Sequence, residues 1–496
     1  MSIRDRYAPS PTGLQHIGGV RTALFNYLFA RSQGGKFILR LEDTDRGRFD
    51  ENAVKNLYDT FLWLNVRWDE GPDIGGPCAP YVQSERTGLY QKHAKELIEK
   101  GLAYCCFCSA ERIEKIRQER EAAHSPQTGY DRYCRGIPFQ EAEQRVKAGE
   151  AHTVRLKIPL GQTTVFHDHL LGSIEWKNDD INPDPVLLKS DGFPTYHLAN
   201  VIDDHLMEIS HVLRAQEWLA STPLHVILYK SFGWAEPEYC HLPMVMGQDG
   251  KKLSKRHGAS SIDEFRRQGY LPEALINYVA LLGASYEEGK DIYSLGELER
   301  LFSLEKLNKA PAIFDYKKLE WFNGQYIRMK SAGELAALCL PYAIDSGLFG
   351  GAGKGPDGEQ NRIFTGAIPL IRERMNFLHE AAGKIAYLFR EPEIPPAEEF
   401  IPKKSNLAEA AKLLRLGREL VQPLAENEDD AWAENFIKEQ AEKNAVKPGD
   451  LLMPLRVALT GSRVSPPLFG SLRLLGAEHS IQRVDRAIQK IAGSEQ

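Results

Sequence analysis

The chain has 496 residues, 42% of them hydrophobic and 26% charged, and its 62 Lys and Arg against 68 Asp and Glu leave a formal net charge of −6. That length holds three or more domains, each with its own core, and the composition is that of a soluble globular protein. The charge balance excludes a globally basic nucleic-acid binder, so a polyanionic partner needs locally basic surfaces, and no apolar run reaches the roughly 18 residues of a membrane span.

The chain is expected to enter a strand directly, Ile3 to Tyr7, with no basic-then-apolar leader before it. A Pro/Gly-rich turn follows, then a helix from about Gly18 to Ser32 closed by Gly34-Gly35, then a strand from Lys36 to Leu41. A strand–helix–strand opening predicts a parallel sheet with helices on its faces. The spacing predicts a helix over 84–100, begun at Ser84 and stopped at Gly101. Residues 102–189 read differently, with cysteines and then strand alternation such as Thr153–Ile158, and are taken as an insertion into the sheet domain. Residues 196–245 return to strands and helices, and Pro272 opens a helix to about Leu282.

From about residue 330 only helices are predicted, and no internal repeat is present. Ile481, Val484, Ile488 and Ile491 form an apolar stripe, with Arg483, Arg486 and Lys490 off it. The glycine-rich segment 350–360 reads as a mobile loop, and the Pro- and Glu-rich run 391–403 as a connector. Residues 446–496 carry seven Lys/Arg against four Asp/Glu, whereas 391–442 carry six against thirteen. The C-terminal end is therefore the expected nucleic-acid-facing part, ordinary solvated helix faces being the alternative. Seven cysteines, four within residues 105–134, are not a spread disulfide framework, so a reducing cytoplasm is expected.

Two distant motifs carry the chemistry. Ala8-Pro9-Ser10-Pro11-Thr12-Gly13 leads into His16-Ile17-Gly18-Gly19. A helix N-terminus presents free N–H groups and partial positive charge, which suits phosphate. Gly18 and Gly19 let a purine or phosphate approach the backbone, and His16 can donate to a phosphate oxygen. Read alone, the motif is equally a helix start with a capping histidine. The second motif, Lys252-Leu253-Ser254-Lys255-Arg256, lies in a glycine-bounded loop between Gly247 and Gly258. Mobile lysines suit a pyrophosphate leaving group, although alone the loop is also a basic surface turn. Together, in this order, the two describe a site that grips ATP from two sides and attacks its α-phosphate.

The pairing resembles the HIGH and KMSKS motifs of class I aminoacyl-tRNA synthetases. Segments Arg6–Gly13, Leu41–Arg46, Leu188–Asn200, Val212–Trp218, Phe314–Leu319 and Pro454–Gly461 extend the resemblance over nearly the whole chain, to bacterial-type glutamyl-tRNA synthetases. It implies an α/β Rossmann-type catalytic domain (1–101 and 190–245) with an inserted α+β acceptor-stem-binding domain (102–189). A stem-contact region carrying the KLSKR loop (246–328) and an all-α anticodon-binding region (329–496) would follow. The implied activity is that of a cytoplasmic, monomeric ligase. It would activate L-glutamate with ATP and Mg²⁺ and transfer it to the 3′ end of tRNA(Glu). The alternative is a non-discriminating enzyme that also charges tRNA(Gln).

By this resemblance, Arg6 and Arg214 hold the side-chain carboxylate of glutamate, Glu42 and Ser10 take its ammonium, and Tyr196 and Asn200 orient its α-carboxylate. His16, Gly18, Gly19, Lys252, Ser254, Lys255 and Arg256 would bind ATP, with His16, Lys252 and Lys255 stabilising charge on the phosphates. A guanidinium fork bonds a carboxylate bidentately, a physical reason to prefer glutamate over glutamine. A small-molecule nucleotidyltransferase would lack the helical C-terminal stretch, and a non-catalytic RNA-binding paralogue would be expected to lose His16 or Lys255.

Cys106, Cys108 and Cys134, with Tyr130 four residues before the last, resemble the zinc-binding insert of some family members. Closely spaced cysteines can chelate one ion, and zinc favours thiolate-rich tetrahedra. Some relatives place a histidine two residues after the third cysteine, where this chain has Gly136. Tyr130 is then the first choice of fourth ligand, with Cys105, His124 or water as alternatives, and metal-free buried thiols are the competing reading. Cys78, Cys240 and Cys339 read as packing residues.

Overall fold

A computed structural model of the protein describes residues 2–124, 129–258 and 260–493, with the side chain of Lys255 outside the described atoms. The chain forms two compact units, Met1–Phe265 with Pro272–Tyr316, and Arg266–Leu271 with Lys317–Gln496.

In the first unit β1 (Arg4–Tyr7) leads through the Pro/Gly turn to α1 (Ile17–Ser32) and back to β2 (Lys36–Leu39). The strands pair in parallel, Arg4 opposite Lys36 and Tyr7 opposite Leu39, as the opening pattern predicts. Helix α1 has no polar stripe; it buries Ile17, Val20, Leu24, Phe25, Leu28 and Phe29, which marks a helix enclosed on several sides. Gly34, at φ +62°, ends it, and Gly35 packs its bare Cα against the Ile3 carbonyl, where a Cβ has no room. Single bridges at Ile38–Glu70 and Leu41–Val82 widen the sheet.

Helix α2 (Glu51–Trp63) was not anticipated, although Asp50 caps it by accepting from the Asn52 N–H. Helix α3 (Thr87–Glu99) corrects the expected start at Ser84. A 3₁₀ turn, Gln83–Arg86, precedes it, and the Ser84 N–H donates to Asp43 Oδ1 at 2.8 Å. Then come β3 (Ala103–Cys106), α4 (Ala110–Ala122), α5 (Phe139–Lys147), β4 (Thr153–Leu156), β5 (Thr163–Asp168), β6 (Gly172–Lys177) and β7 (Val186–Leu188). Strands β3, β4 and β7 form one antiparallel sheet.

The chain continues through α6 (Tyr196–Leu206), β8 (His211–Ala215), α7 (Thr222–Phe232), β9 (Glu238–Leu242) and β10 (Val245–Met246). The hairpin β5–β6 lies inside the stretch expected as an insertion, yet β5 pairs in parallel with β9 at Asp168–Tyr239, giving a four-stranded sheet of order β6-β5-β9-β8. Helices α8 (Ile262–Arg267), α9 (Pro272–Leu281) and α10 (Leu295–Leu301) and strand β11 (Ala312–Ile313), parallel to β10, follow.

The second unit is helical throughout its described residues: α11 (Tyr316–Met329), α12 (Ala332–Asp345), α13 (Gly358–Ile371), α14 (Glu380–Ile385), α15 (Leu407–Glu426), α16 (Asp430–Lys443), α17 (Pro448–Thr460), α18 (Leu468–Leu475) and α19 (Ala477–Gly493), with short 3₁₀ turns between. Its core gathers Leu414, Val421, Leu455, Leu459, Leu472, Val484 and Ile491, with Ile481 and Ile488 packed against it, so the α19 stripe faces inward as expected. The loop expected over 350–360 ends sooner, because an Asp357–Gln360 capping box starts α13 at Gly358. Arg483 is not on a solvated face: it is buried, donating to the Leu459 carbonyl at 2.7 Å and to Glu391. Arg456, Arg463, Arg473 and Arg486 likewise donate to carbonyls, hydroxyls or carboxylates of the protein. The basic excess of the C-terminal end is therefore largely spent internally.

Candidate active site

The main cavity of the first unit holds about 1240 Å³. Its walls include Arg6, Ser10, His16, Gly18, Gly19, Glu42, Tyr196, Asn200, Arg214, Lys252 and Ser254, so residues expected for glutamate and for ATP share one space. Arg256 is exposed and not part of that wall.

The two motifs meet through backbone bonds. Ile17 N–H donates to the Ser260 carbonyl at 3.2 Å and Ile262 N–H to the Gln15 carbonyl at 3.1 Å, tying the chain after the KLSKR segment to the start of α1. Within the segment, His257 Nδ1 accepts from the Ser254 N–H at 3.0 Å, and its Nε2 faces Asp249 Oδ1 at 3.0 Å. Lys252 Nζ donates to Glu217 Oε2 at 2.5 Å, across the cavity mouth.

His16 is both the capping histidine and a cavity residue. Its Nδ1 accepts the Gly19 N–H at 3.2 Å; an N–H can only donate, so Nδ1 carries no proton and Nε2–H is left for a ligand. Desolvation by its neighbours, and then the Lys252 charge, push its pKa below the ordinary histidine value, although the residue is exposed. A neutral ring of this tautomer has Nε2–H free to donate. A Cβ on Gly18 would come within 3.1 Å of this ring, and one on Gly19 within 2.8 Å of the Tyr7 hydroxyl.

The floor is a buried ionic lattice. Tyr196, Asn200 and Asp204 recur every four residues along α6 and so share one face. Asp204 accepts two bonds from Arg6, at 3.0 and 3.1 Å, and one from Arg40 at 2.7 Å. Burial raises the Asp204 carboxyl, but the two guanidinium groups outweigh it and hold it below the usual range. Arg40 also reaches Glu42 at 3.0 Å, and Asn200 Nδ2 lies 3.3 Å from the same Glu42 oxygen. Burial keeps Glu42 raised in spite of Arg40. Ser10 Oγ donates to the Glu42 carbonyl at 2.9 Å. Asp203 accepts from Arg86 at 2.7 Å, and from Gln83 and Tyr90 at 2.9 Å each. Arg40, Asp203 and Asp204 were not foreseen; the only sequence signal was a pair of adjacent acids on a helix that also carries Tyr196 and Asn200.

Arg214, on β8, is buried and differs from Arg6 in having, among the described residues, only neutral partners. Its Nε donates to His241 Nε2 at 3.1 Å, one terminal nitrogen to the Tyr196 hydroxyl at 3.2 Å and His225 Nδ1 at 3.3 Å, and the other to Thr222 Oγ1 at 2.8 Å and the Trp218 carbonyl at 3.3 Å. A desolvated cation without a counter-ion is a seat for an anion.

In the other candidate region, Tyr130 and the three cysteines converge. Cys108 Sγ lies 3.6 Å from Cys134 Sγ, and the Tyr130 hydroxyl is 3.3 Å from Cys106 Sγ and 3.7 Å from Cys108 Sγ. The Cys108–Cys134 spacing is close to the roughly 3.8 Å edge of a tetrahedron with Zn–S near 2.3 Å, and all three sulfurs lie within 4.8 Å of one another. Cys105 lies outside this cluster, its neighbour on β3 alternating to the opposite face, and His124 is exposed outside it. His169, His211 and Glu238 also approach one another, but His169 Nε2 to Glu238 Oε2 at 2.5 Å is a direct hydrogen bond rather than the roughly 3.3 Å separation of two donors on one ion. Cys240 and Cys339 are buried and Cys78 partly so, as packing residues would be. No helix among the described residues is long and apolar enough to cross a membrane.

Residues 2–321 match the family model of tRNA synthetases class I (E and Q), catalytic domain, and residues 334–488 match an anticodon binding domain. The chain is 55% identical to a glutamate–tRNA ligase of Treponema denticola, covering 98% of this chain and 99% of the relative. It is 50% identical to one of Borreliella burgdorferi, covering 98% of each. A glutamate tRNA ligase from Elizabethkingia meningosepticum, solved in complex with its amino acid, superposes with a TM-score of 0.86 at 33% identity, covering 99% of this chain and 100% of that one. With a catalytic-domain match that spans this cavity and an anticodon-binding match after it in sequence, the chain belongs to the glutamate/glutamine (E and Q) family of class I aminoacyl-tRNA synthetases.

Proposed function

We propose that the protein is a glutamate–tRNA ligase. The observation that carries this is Arg214, a buried guanidinium with neutral partners only, in the same cavity as the His16–Gly19 helix start and Lys252. An α-carboxylate oxygen of glutamate forms a bond to the α-phosphorus of ATP while the bond to pyrophosphate breaks. The terminal 2′-hydroxyl of tRNA then attacks the acyl carbon, and AMP leaves. The protein supplies no nucleophile; it positions the reactants and stabilises charge.

Arg214 takes the γ-carboxylate, the cavity-side bonds to Tyr196 and the Trp218 carbonyl being those it exchanges. Arg6 is half-committed to Asp204, so it supports the carboxylate through its remaining donors. Glu42 and Ser10 receive the ammonium, and Tyr196 and Asn200 orient the α-carboxylate. His16 gives a neutral hydrogen bond to phosphate, while Lys252 and Lys255 supply positive charge once Lys252 leaves Glu217. The Asp45 and Glu217 carboxylates of the wall, now paired with Arg48 and Lys252, are hard oxygen donors that would hold Mg²⁺ arriving with ATP, and the ion would supply positive charge to the phosphates.

Residues 102–189 would receive the acceptor stem, 246–328 contact the stem, and 329–496 read the anticodon, in a monomer in the cytoplasm. Zinc on Cys106, Cys108, Cys134 and Tyr130 would brace the inserted part. Charging of purified tRNA(Glu) and tRNA(Gln) with labelled glutamate tests the function. Charging of tRNA(Glu) alone is the expected result, charging of both means a non-discriminating enzyme, and charging of neither overturns the proposal.

A further inference from the structure

The inner side of Arg214 is held by residues that do not line the cavity. His241 sits on β9, beside Arg214 in the parallel pairing of β8 and β9, and is fully buried. Its Nε2 lies 3.1 Å from Arg214 Nε and 3.1 Å from Thr222 Oγ1. An arginine Nε–H can only donate, so His241 Nε2 must present a lone pair, and the ring proton must be on Nδ1. Nδ1 lies 2.7 Å from Asp168 Oδ2, at the end of β5. Asp168 is itself fully buried and anchored by the backbone N–H groups of Leu170, Leu171 and His241, each at 2.9 Å. Burial pushes the Asp168 carboxyl up, but the His241 bond and those N–H groups prevail and keep it ionised. Burial, and the Arg214 charge beside them, hold His225 and His241 below the ordinary histidine value.

We propose that Asp168 and His241, assisted by His225 and Thr222, are positioning residues for substrate selection. The fixed negative charge nearest the guanidinium along this chain reaches it only through a neutral imidazole. Asp168 thus sets the tautomer and angle of His241, and His241 sets Arg214, without neutralising it. A direct Asp–Arg pair in the same place, as Arg6 has with Asp204, would leave little net charge to distinguish a carboxylate from an amide. With neutral partners, only a side chain carrying its own negative charge completes the site, and an uncharged amide leaves a buried cation uncompensated. This inference rests on the reading that Arg214 meets the substrate carboxylate.

The test is pyrophosphate exchange with tRNA(Glu) present, measured for the wild type and for Arg214→Lys, His241→Leu, His241→Gln and Thr222→Val, each checked by a thermal melt. His241→Leu leaves the Arg214 Nε–H without an acceptor and is expected to raise KM for glutamate roughly 10- to 100-fold, with kcat and KM for ATP within about threefold. His241→Gln, whose Oε1 can stand where Nε2 was, is expected to recover most of that loss, and this rescue is what a purely structural role would not give. Thr222→Val, close in volume, is expected to raise KM for glutamate severalfold and carries the test if His241→Leu does not fold. Unchanged KM for glutamate in Arg214→Lys overturns the reading of the site. A raised value there, with wild-type KM in His241→Leu or Thr222→Val, overturns the positioning chain alone. A fall in kcat equal to the rise in KM in His241→Leu, not recovered in His241→Gln, also overturns it.

Discussion

At Gly19 backbone access and side-chain packing compete in one residue. The Tyr7 hydroxyl, which would lie 2.8 Å from an added Cβ, is also bonded to Gln15 at 3.0 Å, so it cannot yield freely. Alanine is the better helix former by about 1 kcal/mol, so Gly19→Ala is expected to change the melting temperature little while tilting the Tyr7 ring into the cavity. Pyrophosphate exchange should fall roughly tenfold or more, by about 1.4 kcal/mol or greater; wild-type exchange would show that the close approach has no role. Residues of this kind were legible because glycine and histidine at a strand–helix junction leave a local signature. Asp168, His241, Asp203 and Asp204 were not. Their partners lie 73 and 117 positions away for His241–Asp168 and Asp203–Arg86, and no local periodicity encodes pairs brought together by strand order or by the packing of a helix on a distant turn.

The element that links sequence to chemistry is α1, because the residue that starts it also faces the ligand. His16 combines two roles that substitution can separate. His16→Ala removes the acceptor for the Gly19 N–H and the Nε2–H donor together, and is expected to cost about 1 kcal/mol of stability as well as activation. His16→Asn, a good cap without the reach of an imidazole, is expected to restore the melt but not pyrophosphate exchange. Recovery of both would mean that the cap alone matters. The helix, its glycine stop and the two parallel strands were readable from turn chemistry and the opening pattern. Helix α2 was missed despite Asp50, and the start of α3 was misplaced because Ser84 serves Asp43 rather than the helix. In the second unit the inward stripe of α19 was readable, yet Arg483 was not seen as buried, since its partners belong to α17 and the connector.

On the scale of the whole molecule, buried titratable groups confine stability on both sides of neutrality. His197, His225 and His241 are all lowered, chiefly by burial, with His197 at about 4. The unfolded chain takes protons on these rings near 6.5 while the folded chain refuses them, so their contribution is complete above about pH 6.5 and is lost as pH falls. His197 alone accounts for on the order of 2 kcal/mol, a figure kept low because its ring is only half-buried. Asp5 acts in the opposite sense. Its carboxylate oxygens are buried with no hydrogen-bond partner, and burial pushes it well above the carboxylate range, with Arg6 opposing weakly. The unfolded carboxyl ionises at about 3.9 while the folded one keeps its proton, so the Asp5 contribution is full below that range and declines from there as pH rises to its folded value. The wild-type melting temperature is therefore expected to peak within the neutral range, falling by about 5 °C or more toward pH 5. Asp5→Asn, which keeps the shape and cannot ionise, removes the decline due to Asp5, so its melting temperature relative to the wild type is expected to rise steadily as pH increases from 5. Scanning melts of both proteins from pH 5 to pH 9, roughly the span between the histidine and lysine ranges, decide the matter: a difference between the two that stays constant with pH would show that Asp5 does not titrate between the folded and unfolded states.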